Sequence, residues 1–171
     1  MYTPFIQSLT DNLDSLGDAK QSLNEINIGL ERETLRVDAS TGNIAQTSHP
    51  KGAGSAFSHK NITTDFSAAL LEFVTDPYSS VEEAAEALKK LQEFTLEVME
   101  NELYWPNSMP PKIESEEEIK IGEYGDSNAG KMRHLYRVGL SHRYGKMMQA
   151  IAGIHYNFSF KDNFIDHWRE K

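Results

Sequence analysis

At 171 residues, 39% hydrophobic and 25% charged, the chain is long enough for one soluble domain with a real core. A net charge of −9 argues against nucleic acid as a partner, though an acidic protein can bind polyphosphates through bridging divalent cations. The absence of cysteine excludes disulfides and thiolate metal sites; with no apolar run near the ~18 residues of a membrane span and no signal-peptide pattern, no membrane association is expected and the expected address is cytoplasmic.

Thr3-Pro4 is an N-cap followed by proline at the first helical position. Phe5, Ile6, Leu9, Leu13 and Leu16 then recur at helical spacing, which predicts a helix to about Leu16 or Leu23 with a break at Gly17. Residues 27–37 alternate as a strand, with Ile26, Ile28 and Leu30 on one face. A turn cluster at 38–43 leads to 44–47, a candidate hairpin partner, and 49–61 reads as loop. Residues 62–76 form an apolar run holding Asp65 and Glu72; its end at 71–75 has strand composition, stopped by Asp76-Pro77.

Ser79 or Ser80 caps the next predicted helix, which places Val81, Ala84, Ala85, Leu88, Leu91, Thr95 and Val98 in a buried stripe ending near Leu103. Residues 105–111 form a proline-bounded loop, and 114–118 an acidic run expected to be solvated. A helix is predicted over 129–143, then a strand over 148–160. The even positions of that strand, from Met148 to Phe160, are apolar and predicted as core; Gln149, Gly153, His155 and Asn157 lie on the other face. Residues 162–171 read as a helix.

Three features carry chemistry. Glu31 and Glu33 share one strand face with Cα atoms about 6.5–7 Å apart, a spacing suited to oxygen ligation of hard cations or to pairing with cross-strand bases. Glu72 sits in an apolar run where a charge needs a partner or a metal, and Asp65 is a further oxygen donor that an Asx turn also explains. His155 and Asn157, near Gly153, suit the floor of a ligand site as well as an internally satisfied sheet face. Residues 125–131 match G-x-x-x-x-G-K, but Met132 stands where a phosphate loop needs Ser or Thr, so a helix N-cap at Ser127 or Asn128 is the reading adopted.

The blocks GLERETLRV, ITTDFSAALLEFVTDP, WPNSMP, YGDSNAGKMRHLYRVGLSHRYG and GIHYNFSF, in this order from about Leu23 to Phe160, resemble bacterial-type glutamate–cysteine ligase. The resemblance implies an α+β fold, a curved antiparallel sheet with flanking helices, glutamine synthetase-like and here incomplete. It implies ATP-dependent joining of the glutamate γ-carboxylate to cysteine through γ-glutamyl phosphate, with Mg²⁺ or Mn²⁺, as the first step of glutathione synthesis. By motif, Glu31, Glu33, Asp65, Glu72, His155 and Asn157 fall in the metal shell, the first three also at the ATP phosphates. Phe66, Tyr136, Leu140 and Gln149 fall in the cysteine pocket, and no catalytic residue is assigned. Family members are several times longer, so residues 1–171 are read as a single domain, the N-terminal part of the catalytic domain. This short chain is expected to be inactive alone and to expose an apolar sheet face that invites self-association. The alternative is a non-catalytic Mg²⁺/nucleotide-binding module that pairs with another chain.

Overall fold

A computed structural model of the chain describes residues 3–169, with side chains from Gln7 onward. The predicted helix positions Phe5 and Ile6, as side chains, and the continuation of the last helix to Lys171 lie outside the described residues. Helix α1 (Thr3–Ser15) stops before Gly17, whose φ of 56° turns the chain into a 3-10 segment, as the break at Gly17 predicts.

The sheet is built on β1 (Ile26–Asp38), which pairs antiparallel on one side with β3 (Leu70–Val74). β2 (Ile62–Thr64) extends the sheet beyond β3. The other side of β1 is shared. Its C-terminal end pairs with β4 (Glu102–Tyr104), and its N-terminal half with β5 (Ile154–Phe160). The remaining helices are α2 (Val81–Glu97), α3 (Asn128–Tyr144) and α4 (Asp162–Arg169). The expected α+β class with an antiparallel sheet and flanking helices is the one observed.

Both faces of the sheet carry core. On the even face of β1, Leu71, Phe73 and Ile62 pack with Ala53 against Leu88, Leu91 and Val98 of α2. On the odd face Leu35 and Leu70 meet Phe66, Ile119, Ala150 and Ala152. The Ser80 hydroxyl caps α2 by accepting from Glu83 N at 3.2 Å. Its buried side includes Ala84, Leu88, Leu91, Thr95 and Val98, whereas Val81 and Ala85 are exposed. The helix ends at Glu97, short of the predicted Leu103, because residues 102–104 are drawn into the sheet: Tyr104 packs edge-on to Phe73 and its hydroxyl donates to Gln92 O.

Arg36 secures this arrangement. It is 1% exposed, pairs with Glu102, and donates to Thr47 Oγ1 (2.6 Å) and to the carbonyls of Thr47, Ser48 and Ala68. One side chain thereby ties β4, the 47–48 loop and the β2–β3 turn to β1. The predicted hairpin over 44–47 reduces to a single bridge, Val37 with Ile44.

The strand predicted over 148–160 is corrected in two respects. Residues Met148–Ala150 form a 3-10 turn and the strand starts at Ile154, because Ala150 and Ala152 first dive into the core and Ala152 N is held by Ser108 O. Of the even positions predicted as core, Ala150 and Ala152 are buried in it, but those of the strand itself are not. Ile154, Tyr156 and Phe158 are 68%, 52% and 59% exposed, since β5 is the outermost strand beside this half of β1 and α2 packs over β1, β3 and Ile62 of β2 rather than over β5.

Candidate functional site

The odd face of β1 collects the acids. In the β1–β3 register Glu33 lies directly opposite Glu72, and in the β1–β5 register Glu31 lies opposite His155. Directly opposed residues share a face, so three strands deliver Glu72, Glu33, Glu31 and His155 to one surface. Asp65 comes from the turn between β2 and β3, close enough for its charge to act on both Glu33 and Glu72. Like charges directly across a strand pair are destabilising, so the fold tolerates this arrangement at a cost.

The groups near β5 are already ordered. Glu31 Oε2 meets His155 Nδ1 at 2.9 Å and Glu31 Oε1 accepts from Asn157 Nδ2 at 2.8 Å. A carboxylate only accepts, so Nδ1 carries the proton and Nε2 keeps the lone pair with which a neutral imidazole ligates a cation. The hydrogen bond to Glu31 raises the His155 pKa. Glu33 Oε2 accepts from Gly153 N at 2.7 Å, and a Cβ at Gly153 would stand 3.2 Å from His155 Nε2, so a side chain there would crowd the imidazole.

Burial and the surrounding carboxylates push Glu72 up to about 7, burial being the larger cause, with Asp65, Glu33 and Glu31 following. Glu33 is raised mainly by burial, against the lowering effect of the Gly153 amide. A cluster of carboxylates this short of countercharge has the donor chemistry of a hard-cation site. Among the described residues, however, no three His, Asp or Glu side chains are spaced to grip one ion as they stand. The carboxylates share a surface without meeting at one point.

The four predicted cysteine-pocket residues are less uniform. Phe66 is 1% exposed and locked in the odd-face core, against which Leu140 of α3 also packs. Tyr136 lies exposed on α3. Gln149 is in the 3-10 turn ahead of β5 and not, as predicted, on the strand face with His155. The G-x-x-x-x-G-K stretch is a helix start: Ser127 Oγ accepts from Gly130 N at 3.1 Å. A Cβ at Gly130 would fall 2.3 Å from Tyr124 O, so close packing accounts for that glycine.

The sequence reading missed Arg137. This α3 residue puts Nη2 3.8 Å from Asp65 Oδ1 and stacks on Tyr124, and its charge lowers the Glu72 pKa. Its only sequence signal is an arginine on a helix, which no spacing ties to the strands.

Comparison with known proteins bears on this geometry. The profile of the glutamate-cysteine ligase family matches residues 13–171. A glutamate–cysteine ligase of Pseudoalteromonas translucida is 51% identical over 157 residues, 91% of this chain and 30% of the relative. One from Saccharophagus degradans is 51% identical over 136 residues, 80% of this chain and 26% of the relative. The crystal structure of the Francisella tularensis glutamate–cysteine ligase in complex with AMP superposes with a TM-score of 0.80 at 45% identity, covering 83% of this chain and 28% of that one. A bifunctional glutathione synthetase from Pasteurella multocida gives 0.77 at 29% identity, over 95% and 20% respectively. The chain thus spans less than a third of the length of these relatives, and over that span, by profile, sequence and fold alike, it belongs to the glutamate–cysteine ligase family.

Proposed function

We propose that residues 1–171 form one domain, the N-terminal part of a glutamate–cysteine ligase catalytic domain, and supply the cation- and phosphate-binding wall of its site. The whole reaction would be ATP-dependent ligation of the glutamate γ-carboxylate to the cysteine amine in glutathione synthesis. The observation that carries this reading is Glu33 directly opposite Glu72, flanked by Glu31 with its His155 and Asn157 contacts. The AMP bound in the Francisella tularensis relative and the glutathione-synthesis neighbour support the nucleotide and the pathway.

A carboxylate does not react with an amine, so phosphorylation by ATP must first make γ-glutamyl phosphate, which the amine then attacks with loss of phosphate. Positioning and charge neutralisation dominate such chemistry. Glu33, Glu72 and Asp65 would hold Mg²⁺ or Mn²⁺, with Glu31, His155 and Asn157 completing the shell. When bound, the cation would neutralise phosphate charge as it develops. Glu31 fixes the imidazole tautomer and Asn157 fixes Glu31, so this half of the site needs little reordering. Tyr136, Leu140 and Gln149 are proposed to contribute to the cysteine pocket, with Phe66 supporting it from the core. No described helix is long and apolar enough to cross a membrane, and a cytoplasmic location is part of the proposal.

Calorimetric titration of Mg²⁺ and of Mg-ATP into the wild-type chain and Glu72→Gln tests the reading. Binding to wild type that falls at least tenfold in the variant is expected; equal binding by both would sink it. The chain alone is expected to make no γ-glutamylcysteine from Mg-ATP, glutamate and cysteine. The exposure of every residue of β5 also favours a second reading, a non-catalytic Mg²⁺/nucleotide-binding module that pairs with another chain. Binding of Mg-ATP with no ligation restored when the remaining portion of a ligase relative is added would distinguish it.

A further inference from the structure

We propose that Arg137 is the positioning residue that holds Asp65 in the acidic group, clamping the β2–β3 turn from α3; the role rests on the cation-binding reading above. Its guanidinium is committed on every side. Nε donates to the Asp65 carbonyl, Nη1 donates to Arg133 O at 3.2 Å, and Nη2 stands 3.8 Å from the Asp65 carboxylate. The plane lies over the Tyr124 ring at 4.5 Å, and Arg133 approaches the same ring at 5.7 Å. Tyr124 is tied to the same turn, since its hydroxyl donates to Thr64 O at 2.7 Å and also lies against the Asp65 carbonyl.

The Asp65 carbonyl is thus gripped by an arginine and a tyrosine while its carboxylate stays 38% open to solvent. The turn behind it is anchored: Phe66, Ser67, Ala68 and Ala69 are all buried, and Asp65 N donates to Leu70 O. These anchors leave the direction of the carboxylate open, and Nη2 of the guanidinium stands beside it. Arg137 itself is only 15% exposed, so it acts in a partly desolvated setting where its charge is weakly screened. Lysine would keep the charge near the carboxylate and lose the Nε donor that grips the Asp65 carbonyl and the plane that stacks on Tyr124.

The experiment compares wild type, R137K, D65N and the double variant by Mn²⁺ titration, with free Mn²⁺ read by electron paramagnetic resonance. Amide hydrogen exchange at Asp65 and Leu70 is read against the amides of β1. R137K should weaken Mn²⁺ binding about tenfold and speed exchange in the turn alone. In the D65N background it should change Mn²⁺ affinity less than about twofold, because its effect passes through Asp65. The proposal is overturned by unchanged Mn²⁺ affinity in R137K, by an undiminished effect on top of D65N, or by exchange that rises throughout β1 or a failure to fold, either of which marks a general structural role. Wild-type chain that takes up no Mn²⁺ overturns the cation reading and this role with it. Wild-type uptake that R137K leaves intact overturns this role alone.

Discussion

Arg36 shows how much one side chain can decide. Its charge is buried among carbonyls, a hydroxyl and Glu102, and burial lowers its pKa while Glu102 opposes that shift. Removing one partner of a buried pair strands the other charge. Arg36→Met is expected to cost about 3–5 kcal/mol in urea unfolding, with β4 and the 47–48 loop released. The double variant Arg36→Met/Glu102→Leu should recover part of that loss. A cost under about 1 kcal/mol, the range of an exposed pair, would show the network to be dispensable. Period-two alternation along the strand places Arg36 on the face opposite Glu31 and Glu33 and says nothing of its partners, which lie as far as 66 residues along the chain.

At the scale of elements, the acidic face follows from register. Glu31 and Glu33 could be placed on one face by period-two alternation alone. Bringing Glu72 opposite Glu33, and His155 opposite Glu31, required two strand pairings that local pattern does not specify. The error over residues 148–160 has the same origin. Alternating apolar residues mark a sheet face but not what covers it, and in this chain Ile154, Tyr156 and Phe158 lie open. An uncovered apolar face on an outer strand with few charges promotes association. The isolated chain is therefore expected to self-associate at micromolar to millimolar concentration in sedimentation velocity, and Phe158→Lys to shift it toward monomer. A wild-type chain that stays monomeric across that range would contradict this.

At the scale of the whole molecule, two half-buried titratable groups oppose each other. His49 is depressed to about 4, mainly by burial, with Arg36 adding to the effect. Its unfolded form takes up a proton first, so stability falls as pH drops from about 6.5 toward 4. Glu72 is raised from 4.5 to about 7, so the unfolded form releases its proton first and stability falls as pH rises through that window. Glu72→Gln removes the second effect and leaves the first. In metal-free buffer the variant's gain over wild type should be absent near pH 4, grow between 4.5 and 7 and level off above, at roughly 2 kcal/mol allowing for partial solvent screening. Thermal unfolding against pH in chelator reads this directly, and a pH-independent difference would refute it.

Residue order alone determined the class of the fold, most helix positions, the break at Gly17, the pairing of Glu31 with Glu33 on one face and, through five ordered blocks, the family. These rest on short-range periodicity, capping and contiguous similarity, which need no partner from elsewhere in the chain. Only the tertiary structure decided that residues 148–153 turn through the core before β5 starts, that Phe66 is sealed in that core, that Arg36 holds three segments together, and that Arg137 faces Asp65. Each of those depends on groups brought together across the chain by strand register and helix packing, and a local pattern carries no record of such partners.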